Sequence, residues 1–328
     1  MYAISDIKKL HLEISSLCNA SCPSCPRNFH GYPYNHGYTE RNLTLADVKQ
    51  IFCVEFVQQL SEILINGNYG DLVMNPESLD IIEYFRQHNS HAHIPISTNG
   101  SARNKQFWQH LAKLDTKVYF CLDGLEDTHS LYRVNTNFAT VIKNAKTYID
   151  AGGHAVWKMI PFDHNRHQIQ QAQQLSRDLG FKDFIVTDYG RNNTPVFDKN
   201  GDLTHVIGEP NQTNFAVMFS AYKRKFDNCS NLFDSTPIKD PITCEAQTDK
   251  SIYVSSTGEV FPCCYIGDTI DIAKNWQMKK LKKENNALHH SLEQCIQWFA
   301  VIESSWSQPT WAQGRMVVCN NACGSKNL

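Results

Sequence analysis

Cys18-Asn19-Ala20-Ser21-Cys22-Pro23-Ser24-Cys25 follows directly on Lys8-Lys9-Leu10-His11-Leu12-Glu13-Ile14-Ser15. In the second stretch apolar residues alternate with polar ones, the period of a half-buried strand. The cysteines, spaced C-x3-C-x2-C, therefore fall on a tight loop at that strand's C-terminal end. Thiolates are the usual protein ligands of iron-sulfur clusters, and three can hold three irons of a [4Fe-4S] cube while the fourth iron stays open to a small molecule. A structural zinc ion is the competing reading. It needs a fourth ligand to close its tetrahedron, and His30 and His36 follow within reach. The triplet differs from the paired C-x2-C units of zinc modules, which favours the cluster.

A chain of 328 residues is long enough for one large core and a smaller module, one to two domains in all. No apolar run approaches a bilayer span, and Met1-Tyr2-Ala3-Ile4-Ser5-Asp6 lacks a secretory leader; the sequence predicts a cytoplasmic protein with no membrane partner. Twelve cysteines in a reducing compartment argue for metal binding over a disulfide framework. A net charge of -2 gives no general footprint for nucleic acid. The dense basic run Lys279-Lys280-Leu281-Lys282-Lys283 lacks interleaved aromatics and reads as a solvated helix face.

From residue 8 to about 188, short apolar strands alternate with helix-length amphipathic segments, the signature of βα units and a parallel sheet. Thr44-Leu45-Ala46-Asp47 looks like a capped start for a helix carrying Val48, Ile51, Phe52, Phe56 and Leu60. Further strands are expected at 62–66, 93–98, 117–122, 154–160 and 183–188. Helices are expected near 76–88, 103–114, 137–151 and 165–179, two of them stopped by Gly152-Gly153 and Gly180. Six units suit a partial, open (β/α)6 TIM-like barrel, in which function gathers at the strand ends. A doubly wound sheet is the runner-up, but no G-x-G-x-x-G follows the first strand. Residues 191–240, with Arg191-Asn192-Asn193-Thr194-Pro195 and Asp198-Lys199-Asn200-Gly201-Asp202, read as a linker or active-site insertion between a barrel at 1–190 and a small C-terminal domain at 241–328. There, two short strands around Ser256-Thr257-Gly258-Glu259 make a hairpin with Cys244 and Cys263 at its outer ends, and Cys319 and Cys323 follow. Four thiols alone do not choose between zinc and an iron-sulfur cluster. His88, His91 and His93 invite a metal reading, but they straddle a helix end and a strand start, which disfavours it.

The cysteine loop and the features after it resemble the radical S-adenosylmethionine (SAM) superfamily over nearly the whole chain. The C-x13-G-x4-C pattern with its later C-x3-C looks like the twitch/SPASM type of C-terminal module. The resemblance implies a SAM-binding [4Fe-4S] cluster on Cys18, Cys22 and Cys25. It also implies a second, auxiliary [4Fe-4S] cluster on Cys244, Cys263, Cys319 and Cys323, with Cys264 or Cys295 able to replace one ligand. Gly67, Asn68, Tyr69 and Asp71 stand where the family receives the SAM amine. Ser97, Thr98 and Asn99, with Asp123, match strand ends near the ribose, and Arg133 matches an arginine that pairs with the SAM carboxylate, a fit its guanidinium fork favours. Ser24 departs from the aromatic residue the family often has before the third cysteine.

The implied activity is that of an oxidoreductase: SAM is cleaved to a 5'-deoxyadenosyl radical, a substrate hydrogen is abstracted, and the auxiliary cluster takes an electron from a peptide or small polar substrate. A flavodoxin or ferredoxin would be the electron donor. The chain starts almost at strand one, which leaves no room for a leader-binding domain and weighs against a peptide unless another protein delivers it. Aromatics in Phe29-His30-Gly31-Tyr32-Pro33-Tyr34 are expected to cover the site, grip a planar substrate, or simply pack. A redox-neutral rearrangement and a non-enzymatic iron-sulfur or zinc sensor are the competing functions.

Overall fold

The computed structural model describes residues 3–34, 38–188, 194–208, 214–227, 241–268, 277–278 and 284–324. Its strands are β1 (Lys9–Leu12), β2 (Asn28–Phe29), β3 (Tyr32–Pro33), β4 (Glu62–Ile65), β5 (Pro95–Thr98), β6 (Lys117–Cys121), β7 (His154–Met159), β8 (Asp183–Val186), β9 (Thr194–Phe197), β10 (Leu203–Ile207), β11 (Ser251–Val254) and β12 (Val260–Phe261). Helices Leu45–Ile51, Val54–Gln58, Ser78–His88, Lys105–Ala112, Phe138–Asp150 and Ile169–Asp178 fall between the strands of the first half. The Thr44/Asp47 capping box is made as the sequence suggests. The helix it starts stops at Phe52, and Cys53 opens a second one. Gly152 and Gly180 end their helices at φ +93 and +86, a left-handed conformation that favours glycine.

The main sheet runs β12-β11-β1-β4-β5-β6-β7-β8. From β1 to β8 every pairing is parallel. Each of these strands lies beside its predecessor in sequence, without the reversal that marks a doubly wound sheet. Strand parity separates the two architectures further. Leu10 and Leu12, Ile63 and Ile65, Ile96, Val118 and Phe120, and Ala155, Trp157 and Met159 all join the main apolar core with the helices. They occupy alternate positions, so one face of the sheet is buried under helices. The opposite face carries His11, Glu13, Asn66, Ser97, Cys121 and Lys158, and it is where polar chemistry can collect.

Two features differ from the expected layout. The C-terminal hairpin forms as predicted, with Tyr253 opposite Phe261 and Gly258 at φ +84 in its turn. It does not stand apart, however, because β11 pairs in parallel with β1, Leu10 beside Ile252 and Leu12 beside Val254. Ile252 and Val254 thereby bury in the same core as the first strand. The second feature is the stretch after β8, which is not turn throughout. β9 and β10 form an antiparallel hairpin around an Asp198-centred turn, and a helix follows at Phe215–Asp227. Arg191, Asn192 and Asn193 lie outside the described residues, as do His36 and the lysines of 279–283. Among the described residues no helix is long and apolar enough to cross a membrane.

Two histidines inside this fold make stability depend on pH. His11, whose Nε2 donates to the Asn66 carbonyl at 2.8 Å, is pushed down to about 4 by burial. His129 is pushed down to about 3 by burial, with Arg133 adding to it. The unfolded chain takes up these protons near pH 6.5, the folded chain only far below. Stability is therefore lost as pH falls from about 6.5 toward 4, by about 2 kcal/mol per histidine at pH 5. Glu13 and Asp71, raised by burial, act in the opposite sense. His11→Asn should shift the change in urea-unfolding stability between pH 7 and pH 5 by about 2 kcal/mol in favour of pH 5; the same change in both proteins would contradict this account of His11.

Candidate active site

The cysteine loop leaves β1 and meets the ends of β4, β5, β6 and β7 around one cavity of about 1030 Å³ that opens to solvent. Cys18, Cys22 and Cys25 line it together with 66–71, 97–99, Cys121, Arg133 and Lys158. Thus Gly67, Asn68, Tyr69, Asp71, Ser97, Thr98, Asn99 and Arg133 are brought together as the sequence suggests. Asp123 is not on the cavity wall. It is fully buried, its Oδ2 accepting from Arg133 Nε at 2.6 Å and its Oδ1 from the Ile160 amide at 2.6 Å. Asp123 thus orients Arg133. Burial alone would lower the Arg133 pKa, but Asp123, followed by Cys22 and Cys121, raises it well above the ordinary value.

Asp71 is also spent largely on structure. Its carboxylate accepts from the Thr98 hydroxyl (2.7 Å), the Asn99 amide (2.7 Å) and the Val73 amide (3.2 Å), locking the end of β5 to the turn after β4. Asn68 Nδ2 donates to the Cys264 carbonyl (2.9 Å), and the Tyr69 hydroxyl donates to Asp268 (2.9 Å). Both contacts reach the C-terminal region.

The turn itself hangs on Glu13, which the sequence reading passed over. Its Oε1 accepts from the amides of Tyr69 (2.7 Å) and Gly70 (3.1 Å), and its Oε2 accepts from the Tyr253 hydroxyl (2.8 Å). Burial pushes this carboxyl up, against those donors. A charged residue at the inward parity of an apolar strand was the available signal, as it was for Lys158.

The thiols suit iron in their surroundings. Cys18 Sγ receives the Ala20 amide at 3.4 Å and Asn99 Nδ2 at 3.5 Å, and Cys22 Sγ receives Arg133 Nη1 at 3.7 Å. N–H donors of this kind stabilise thiolate sulfur and tune clusters. Burial pushes Cys18 up to about 12 and Cys25 up to about 11, so metal must displace protons to bind there. Val196 and Ile207 of the β9–β10 hairpin pack with Ala20 and Cys22 and cover the loop with apolar surface. The aromatic stretch at 29–34 packs instead of lining the cavity. Phe29 stacks on Phe197 at 6.1 Å, Tyr32 meets Phe215 edge-on at 5.0 Å, and Tyr34 meets Phe219 at 5.0 Å.

A second pocket is lined by Cys244, Cys263, Cys319 and Cys323 in apolar walls. Burial raises Cys244 and Cys263 and pushes Cys319 up to about 12. The buried Trp306 indole N–H has no hydrogen-bond acceptor among the described residues, and a sulfur-rich occupant of this pocket would supply one. Cys295 lies in the main core away from this pocket, whereas Cys264 lines a neighbouring groove together with Cys244, Cys263 and Cys323. Among the described residues no three Cys, His, Asp or Glu side chains converge on a single metal ion; a cubane asks for a wider frame, since each thiolate binds its own iron.

No protein-family profile matches the chain. It is 24% identical over 292 residues to the antilisterial bacteriocin subtilosin biosynthesis protein AlbA of Bacillus subtilis, covering 86% of this chain and 60% of AlbA. Among solved structures, Streptococcus suis SuiB bound to the precursor peptide SuiA superposes with a TM-score of 0.54 at 14% identity, over 95% of this chain and 76% of SuiB. Native anSMEcpe with bound AdoMet and the Cp18Cys peptide gives 0.53 at 15% identity, over 98% of this chain and 91% of that one. At these identities the likeness establishes a shared α/β fold that includes the C-terminal region.

Gly70 tests the frame of the cavity. A Cβ there would overlap the Ser15 carbonyl, and one at Gly67 would lie 2.5 Å from Glu13 Oε1. Gly70→Ala should cost about 3 kcal/mol in urea unfolding, because rigid backbone must shift. Gly152→Ala meets no atom within 4 Å and should cost only about 1 kcal/mol, from its positive φ. Equal costs would contradict this packing of the turn on β1.

Proposed function

We propose that this chain is a radical SAM enzyme that carries out a two-electron oxidation of a polypeptide or small polar substrate. One observation carries the reading: three cysteines, the 67–71 turn, Thr98-Asn99 and an ion-paired arginine line a single cavity at the C-terminal ends of parallel strands. When bound, a [4Fe-4S] cluster and SAM supply a 5'-deoxyadenosyl radical by reductive cleavage.

The chain's own groups do the rest. Cys18, Cys22 and Cys25 hold the cluster, and Arg133, fixed by Asp123, offers its guanidinium to the SAM carboxylate. The backbone carbonyls of Gly67, Asn68 and Tyr69 and the Asn68 side-chain oxygen receive the SAM amine. Asp71 holds Thr98 and Asn99, with Ser97, in place for the adenosyl group. Val196 and Ile207 back the cysteine loop with apolar surface on the side away from the cavity opening. Cys244, Cys263, Cys319 and Cys323 hold a second [4Fe-4S] cluster that accepts an electron, and a flavodoxin or ferredoxin supplies the first one. In this reading the sheet is a partial (β/α)6 barrel over 1–190, 191–240 is a linker or active-site insertion whose β9–β10 hairpin packs on the cysteine loop, and 241–328 is the auxiliary module. A polypeptide substrate is supported by the relatives: AlbA is named for bacteriocin biosynthesis, and SuiB and anSMEcpe have been solved with peptides.

Cys22→Ala should abolish 5'-deoxyadenosine formation from SAM under dithionite. Cys323→Ala should leave most of it and block the oxidised product instead. Nucleoside formation that persists at the wild-type rate in Cys22→Ala would overturn the assignment.

A further inference from the structure

The segment that carries part of the second cysteine group also holds the turn of the first cavity. Asn68 Nδ2 donates to the Cys264 carbonyl at 2.9 Å, and Cys264 directly follows Cys263 of the second pocket. A carbonyl can only accept, so the Asn68 amide is fixed with its nitrogen toward Cys264. Its Oδ1 is left over: Asn68 lines the first cavity, and among the described residues no donor reaches that oxygen. A second route runs beside it. The Gly267 amide donates to the Cys263 carbonyl at 3.1 Å, and Gly267 lies so close to Tyr253 that a Cβ there would overlap the Tyr253 ring. Tyr253 in turn donates to Glu13, which receives the Tyr69 and Gly70 amides.

We propose that loading of the second cysteine group sets the affinity of the first cavity for SAM, with Asn68 as the residue that carries the coupling. The proposal deepens the reading of the first cavity and rests on it for the identity of the ligand. Thiolate sites are ordered by the metal they bind, so filling the second group fixes the backbone at Cys263 and with it the Cys264 carbonyl. With that carbonyl in place, the Asn68 oxygen is held for the ammonium group of SAM. Without it, the amide is free to turn and the acceptor is lost. One hydrogen bond to a charged group corresponds to roughly tenfold in affinity. A cavity that takes SAM weakly until the electron acceptor is in place limits cleavage that no oxidation follows. The coupling is one of affinity, so saturating SAM restores nucleoside formation when the second group is empty.

Equilibrium dialysis of labelled SAM, anaerobic and without reductant, reads affinity without turnover. The double variant Cys319→Ala, Cys323→Ala, reconstituted to about four irons per chain, should bind SAM roughly tenfold more weakly than the wild type. In the Asn68→Ala background the same two substitutions should change the affinity by less than about twofold, because the coupling residue is gone. Equal affinities in the wild type and the double variant would overturn the proposal, and so would a loss of the same size in the Asn68→Ala background. Hydrogen exchange supplies a readout that uses neither SAM nor the double variant, and it stands even where that variant does not fold. In Cys22→Ala, which keeps all four C-terminal thiols, loading the second group should slow amide exchange across 66–71 roughly tenfold while β6 and β7 stay unchanged. Exchange at 66–71 that ignores loading would overturn the proposal. A protein whose exchange at 66–71 responds to loading, but whose wild type binds no SAM, contradicts the cofactor reading alone.

Discussion

The Glu13 carboxyl, buried at the end of the first strand, holds three segments of chain at one point. It receives two amides of the glycine turn and the hydroxyl of Tyr253 on the added strand β11. A buried carboxyl without donors would be expensive, and one whose donors come from different segments makes them mutually dependent. The turn that walls the cavity and the strand leading to the second cysteine group are thereby set from the same residue. Gly67 and Gly70 are required by the same arrangement, because their lack of side chains lets the turn press against Glu13 and the Ser15 carbonyl.

A second tie organises the opposite wall. Asp123 takes the Arg133 guanidinium on one oxygen and the Ile160 amide on the other, while Arg133 reaches Cys22. The guanidinium is thus aimed before any ligand arrives, which lowers the ordering cost of binding a carboxylate. Asn68 and Tyr69 extend this frame to the C-terminal region through the Cys264 carbonyl and Asp268. The two cysteine groups are therefore joined by short, directed contacts.

Local signals made much of this legible. The alternation in Leu10-His11-Leu12-Glu13, the capping box at Thr44, the stop at Gly152 and the triplet of cysteines each depend on neighbours within a few residues, and each has its expected counterpart in the fold. What stayed hidden depends on partners far away in sequence. The pairing of β11 with β1 joins residues about 240 apart, and nothing in Ser251–Val254 distinguishes a free hairpin from an added parallel strand. The structural ties of Asp123 and Asp71 stayed hidden because a carboxylate after a strand has the same spelling whether it faces a ligand or a neighbouring strand end. Glu13, Cys121 and Lys158 were visible only as parity, and parity acquires meaning once the register across β6 and β7 is known.

The central claim is that two groups of cysteines, three in one cavity and four in another, each frame an iron-sulfur cube. Anaerobic reconstitution followed by iron and sulfide analysis with Mössbauer spectroscopy tests it most directly. The account predicts about eight irons and about eight sulfides per chain, all in cubane clusters, with one iron of one cluster responding to added SAM. Zinc at one or two ions per chain, with no sulfide bound and no response to SAM, would contradict it.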